Sequence, residues 1–102
     1  MPLFIKTEKF TKETLKLPNK KRKEYIEKHI LWAKGVSQSG ANISSGYLVD
    51  KHRSPGAGGL LVIEAESYEQ ALNLIKNDPM IAFGLVDWEL NEWIPIVKKI
   101  SI

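Results

Sequence analysis

The sequence of 102 residues has no cysteine, which excludes disulfides, thiolate metal sites and thiol nucleophiles. It has only two histidines, His29 and His52, so chemistry that needs an imidazole must use one of them. No segment approaches the roughly 18 apolar residues that a membrane-spanning helix needs, and no membrane association is expected. There is no G-x-S-x-G, and no serine has a sequence neighbour that would activate it. A phosphate-binding glycine loop is also missing: Gly56-Ala57-Gly58-Gly59 leads into a strand, lacks the helix N-terminus such a loop requires, and reads as a flexible turn. The start, MPLFIKTEKF, has too short an apolar run, with its charges on the wrong side, to act as a secretory signal, and a cytoplasmic protein is expected.

What is present suits one soluble domain near the lower size limit for an adequate core, a limit that a dimer would relieve. The net charge of +3 is unevenly spread. Residues 1–53 hold 12 Lys/Arg against 5 Asp/Glu, a net of +7, whereas residues 54–102 hold 3 against 7, a net of −4. Because the basic excess lies mainly in one loop and one helix, attraction between the halves, within the fold or across a dimer, is expected over a nucleic-acid footprint. No aromatic pair occupies a central strand as an RNA-recognition sheet requires, so no nucleic-acid partner is expected.

Local signals agree best between Gly59 and Pro79. Leu60 to Ile63 form an unbroken apolar run, predicting a strand buried on both faces. Ser67 and Gln70 have capping-box spacing, and Tyr68, Ala71, Leu72 and Ile75 make one apolar helical stripe. Pro79 ends that helix by Asn77, and Asp78 is placed to cap a short second turn with Pro79 in its first position.

Before this stretch, Leu3 to Ile5 predict a short first strand, and Thr11 to Asn19 a loop. Asn19 is a plausible N-cap for a helix from Lys20 to about Ser39, with Tyr25, Ile26, His29, Trp32, Ala33 and Val36 on one face. The Lys20-Lys21-Arg22-Lys23 run opposes the helix dipole and reads as a solvated face. Gly40 stops the helix; Ala41 to Asp50 predict a strand with one buried side, and Lys51 to Gly58 a loop. Val86 to Ile94 predict a last strand with one core face, and Pro95 to Ile102 a tail that pairs with or wraps over a partner.

The order β-α-β-β-α-β, with two right-handed crossovers, gives an α+β ferredoxin-like sandwich: a four-stranded antiparallel sheet with both helices on one face. The other face is left bare, and Tyr47, Trp88 or Trp93 on it would form an apolar patch, so a homodimer stacked sheet to sheet is expected.

His29 is the sharper of the two histidines, either a general acid/base or a core or interface residue; His52 reads as a solvent group. Asp50 and Asp78 stand at element ends, and either could orient His29, although capping already gives Asp78 a local role. Asp50-Lys51-His52 supplies two metal ligands without a third, so no metal is expected.

These residues resemble the YciI-like (YCII-related) family of the dimeric α+β barrel superfamily. The matching pieces are His29-Ile30, Ser45-Gly46, Asp50, the glycine loop into a Val/Ile strand, Glu64-x-x-Ser67-x-x-x-Ala71, and Asp78-Pro79 followed by Gly84, together covering about Arg22 to Val97. The resemblance implies a dimer with a cleft between sheet and helices, lined by the histidine and the aspartate, and proton-transfer lyase or isomerase chemistry. Three departures stand out: Ile26 replaces an arginine often found three residues before the histidine, Tyr47 replaces a proline, and the first loop is longer than usual. Without that arginine, an anionic substrate would have to be held by Arg22 or Arg53. Two functions fit this pattern. One is a cofactor-independent enzyme in which His29 moves protons, Asp50 or Asp78 orients it, and Tyr25, Trp32 and Tyr47 shape an apolar pocket. The other is a non-catalytic dimeric ligand-binding or accessory module.

Overall fold

Leu61, Val62 and Ile63 are each at most 4% exposed, as an apolar run sealed on both faces requires. They belong to an inner strand of the computed structural model, which describes residues 1–102. Its elements are β1 (Leu3–Phe10), α1 (Lys12–Leu15), α2 (Asn19–Gln38), β2 (Ile43–Val49), β3 (Pro55–Glu64), α3 (Tyr68–Ile75), α4 (Pro79–Ala82) and β4 (Val86–Trp93). The sheet order is β2-β3-β1-β4, with every pairing antiparallel. Both long helices cover one face. Ala71 and Ile75 of α3 pack with Phe4, Leu61, Ile63 and Leu90, and Trp32 of α2 leans on the same cluster. This is the ferredoxin-like sandwich expected from the sequence.

The second crossover follows its local chemistry closely. Ser67 Oγ accepts from the Gln70 amide at 3.1 Å, while the Gln70 side chain reaches back to the amide of Glu66, one residue before the cap, at 2.6 Å. Asp78 caps α4 through the Met80 amide at 3.0 Å, with Pro79 at the first position.

The structure corrects several expectations, the first being the loop from Thr11 to Asn19, in which Thr11 caps the short helix α1 by accepting from the Thr14 amide. β1 continues from Leu3 to Phe10, well past Ile5, because it is an inner strand paired with both β3 and β4. The glycine run is no loose turn, since β3 already begins at Pro55. At Gly58, with φ +100°, a Cβ would stand 2.1 Å from the Glu8 carbonyl oxygen, so close strand approach requires glycine there. Asn19 does not cap α2. Its side-chain oxygen is taken by the Arg22 guanidinium, which also binds the Leu15 and Leu17 carbonyls and ties the helix start to α1. Arg22 is thus an anchor in a run otherwise facing solvent. Lastly, β2 buries no side: Ile43 is half-buried, but Tyr47 is 74% exposed and Val49 40%. It is an edge strand, and α2, which has no fully buried residue, covers little beyond its first half.

The register sorts the aromatic residues between the two faces. Trp88 lies across from Glu8 and packs on both core clusters, so it belongs to the helix side, as does Tyr47 opposite Gly59. Trp93 pairs with Leu3 on the outer face, which also carries Ile5, Leu60 and Val62. Ile102 of the tail returns to this face, lining a hollow with Leu3, Asn42, Ile43, Ser44, Val62 and Glu64.

Candidate functional site

The polar cluster between sheet and helices is built around Asp78. The proline after it keeps Asp78 out of the helical conformation, at φ −61° and ψ 124°, so its carboxylate turns back over α4 toward β1 and α2. Oδ1 accepts from the Met80 amide and from His29 Nδ1, the latter at 2.9 Å. Oδ2 accepts from Lys6 Nζ at 2.9 Å, and the same ammonium donates to Glu8 Oε1 at 2.7 Å. The side chains of Lys6 and Asp78 are fully buried, and that of His29 is 16% exposed. Capping and orienting the histidine are therefore compatible roles of one carboxylate.

The far end of the imidazole faces outward. His29 Nε2 is 3.2 Å from Ser45 Oγ on exposed β2. A carboxylate only accepts, so Nδ1 carries the hydrogen shared with Asp78, and in the neutral ring Nε2 presents its lone pair to the serine hydroxyl. Orienter, base and hydroxyl thus stand in line, as needed to take a proton from an O–H or C–H group placed where Ser45 Oγ lies.

Burial by itself would raise the Asp78 pKa, but hydrogen bonds from His29 and Lys6, with their charges, outweigh it and hold the carboxyl below its usual range. The linkage sign follows. A carboxyl with a folded-state pKa below its unfolded value of about 3.9 stabilises the fold above that pH, and the contribution is lost as pH falls through the folded value. Thermal scans between neutral pH and about pH 2 should show stability falling below about pH 4, with a shallower fall in Asp78→Asn.

Of the residues expected at a site, the structure brings His29 and Asp78 into contact, with Tyr25 and Trp32 beside them on the inner stripe of α2. The Trp32 ring is 5.9 Å from His29, and Tyr25 packs on Phe83 at 5.7 Å. Tyr47 lies two residues beyond Ser45, on the same side of β2. Asp50 and Arg53 are elsewhere. Asp50 Oδ1 accepts from the His52 and Ser54 amides at 2.8 and 3.0 Å, closing a turn in which Arg53 has φ 63°. Asp50 is five residues on from Ser45, roughly 16 Å of extended chain, and the carboxylate that reaches His29 is Asp78.

Sequence reasoning missed Lys6, Glu8 and Ser45. The first two had a visible signal: Phe4, Lys6, Glu8 and Phe10 alternate, which puts a lysine and a glutamate on the core face of β1. Ser45 stands in the sequence only as part of the Ser45-Gly46 piece of the family resemblance; the crossing of α2 over β2 is what brings it to the imidazole. Oxygens of Glu8 and Asp78 and a ring nitrogen of His29 lie within 4.8 Å of one another, a grouping that could hold a metal. The Lys6 ammonium already bonds to both carboxylates, so an ion would have to displace it.

The charge asymmetry along the sequence also acts here. Lys6 and His29, from the basic half, meet Asp78, from the acidic half, whereas the Lys21–Glu24 pair lies within one helix. No helix is long and apolar enough to cross a membrane.

Comparison with known proteins agrees with this fold. Over 90% of this chain and 93% of the other, the structure is similar to 5-chloro-2-hydroxyhydroquinone dehydrochlorinase (TftG) from Burkholderia phenoliruptrix AC1100, in complex with 2,5-dihydroxybenzoquinone, with a TM-score of 0.68 and 20% identity. It is also similar to At3g17210 from Arabidopsis thaliana over the whole of both chains, with a TM-score of 0.51 and 16% identity. At such identities the likeness speaks for the fold alone. None of the curated proteins matches the sequence. The YCII-related domain matches residues 3–94, which include Lys6, Glu8, His29, Ser45 and Asp78, and the chain belongs to that family.

Proposed function

We propose that the protein is a small cofactor-independent lyase or isomerase, in which His29 Nε2 takes a proton from a small organic substrate; in an isomerisation the imidazolium returns it to another atom of the same molecule, and in an elimination the freed electron pair forms the new double bond as a leaving group such as chloride departs and the proton passes to solvent. One observation carries this reading: the imidazole is held at Nδ1 by a carboxylate that is itself fixed by Lys6 and the Met80 amide, while Nε2 is left at the open rim beside Ser45. Tyr25 and Trp32 flank the ring on the same helix stripe, and Tyr47 stands at the rim, giving an organic substrate apolar surface. Asp50 and Arg53 take no part in this proposal, because their turn is remote from the imidazole.

The test is chloride release from 5-chloro-2-hydroxyhydroquinone, together with deuterium incorporation from heavy water into a panel of enolisable ketones. Turnover in the wild type that is lost in folded His29→Gln supports the reading. The same turnover in both proteins would sink it.

We also propose a homodimer formed through the outer sheet face. Leu3, Ile5, Leu60 and Trp93 are only half-buried there, and the tail beyond β4 exposes Ile96 at 91%, Val97 at 79% and Ile100 at 76%. Light scattering should give about twice the 11.6 kDa of one chain; a mass of one chain at micromolar concentration would contradict the dimer.

A non-catalytic ligand-binding or accessory module is favoured by one observation. The hollow lined by Leu3, Ile43, Val62 and Ile102 is on the outer face, across the sheet from His29. A ligand whose binding is insensitive to His29→Gln but lost on removal of Ile102 would support that reading.

A further inference from the structure

Glu8 is the one member of the cluster with a buried side-chain oxygen that no hydrogen bond reaches. Its Oε1 accepts from Lys6, but Oε2 is inside the protein with no hydrogen-bond partner, although the side chain is only 10% exposed. The surroundings favour this placement. Across β3, Gly59 is so close that an added Cβ would lie 3.3 Å from Glu8 Cγ and Oε1, so the bare backbone makes room for the carboxylate. The opposite neighbour, on β4, is Trp88. One oxygen of Glu8, one of Asp78 and one ring nitrogen of His29 lie within 4.8 Å of one another, so Glu8 belongs to the same cluster as the imidazole. Two carboxyl groups, Asp78 and Glu8, share a single ammonium, so the cluster is short of both positive charge and donors.

We infer that Glu8 Oε2 is the specificity-determining acceptor of the site, and that the ligand binds it with a hydrogen-bond donor, a hydroxyl or an amine, while carboxylate ligands are rejected. This rests on the proposed function for the location of the site, but is read by binding and needs no turnover. The absence of an arginine at Ile26 points the same way, because the helix that carries His29 brings no guanidinium beside it to receive an anion.

The test uses four probes that share one ring: benzyl alcohol, benzylamine, benzyl methyl ether and benzoate, titrated into the wild-type protein and followed by NMR shifts of the His29 ring and the tryptophan indoles. Benzyl alcohol and benzylamine are expected to bind on the order of tenfold or more tightly than the ether and benzoate. In Glu8→Gln, where an amide donor can replace the acceptor, the preference should collapse; Glu8→Met, of similar length and without an acceptor, should lose it as well. Equal binding of all four by the wild type, binding of none, or a donor preference that survives in both variants would overturn the inference. If His29→Gln has no effect on any turnover while the donor preference and its dependence on Glu8 persist, the catalytic reading fails and this one stands.

Discussion

Replacing Asp78 with alanine is expected to destabilise the protein more than any other single change in the site. The substitution leaves the fully buried Lys6 ammonium with Glu8 alone, removes the partner of His29, and uncaps α4. Breaking a buried ion pair by deleting one member typically costs about 3–5 kcal/mol, and losing a cap adds about 1 kcal/mol. For a domain with a total stability of roughly 5–15 kcal/mol, that approaches unfolding at the low end and lowers the melting temperature by roughly 15 °C or more. Lys6→Met should be comparably damaging for the complementary reason, since Asp78 and Glu8 would then face each other without a cation. The double variant Lys6→Met/Asp78→Asn separates a buried charge pair from mere packing. If the pair is what matters, the double variant loses clearly less than the sum of the two single losses, because Asp78 is no longer charged once its cation is gone; a residual loss remains, since Glu8 still loses Lys6. Additive losses in urea unfolding would show that Lys6 and Asp78 stabilise the fold independently.

His29→Gln is expected to have the largest effect on activity with little effect on stability. General acid–base catalysis contributes typically about 10²–10⁴-fold, so turnover should fall by that factor in a protein that still folds. The fold survives because α2 buries no residue completely and Asp78 keeps its bonds to Lys6 and the Met80 amide. Ser45→Ala discriminates between two uses of the same geometry. If the serine hydroxyl only occupies the place of a substrate hydroxyl, turnover survives its removal. Should Ser45 be an attacking nucleophile, turnover falls as far as in His29→Gln.

The fold was legible because its signals are local. An apolar run marked β3, a serine and a proline bounded the second crossover, and the element order then left few arrangements for the sheet. Half of the site was legible for the same reason: His29 falls on the inner stripe of a long helix, and Asp78 precedes a proline. The rest depends on tertiary contacts. Nothing near Asp50 in the sequence shows that its carboxylate is used up by the next turn, so it looked as able as Asp78 to orient the histidine. Ser45 acquires its neighbour only when α2 crosses β2. Lys6 and Glu8 lie beyond the apolar run Leu3 to Ile5 that marks the first strand in the sequence, whereas pairing on both sides carries the strand to Phe10 and brings both side chains under the helices. The glycine run was misread in a related way, since glycine can mark a loose turn or a tight strand contact, and only the approach of Gly58 to the Glu8 carbonyl decides between them.

Asp78, braced by Lys6, fixes which nitrogen of His29 holds the hydrogen and leaves Nε2 as the proton-accepting atom. Long-range ¹H–¹⁵N NMR of the ring, recorded well above the ordinary imidazole range, reads this directly. The expected result is a protonated Nδ1 and an unprotonated Nε2 in the wild type, with that preference weakened in Asp78→Ala protein that remains folded. A ring protonated at Nε2 in the wild type, or one whose tautomer ignores the loss of Asp78, would contradict it.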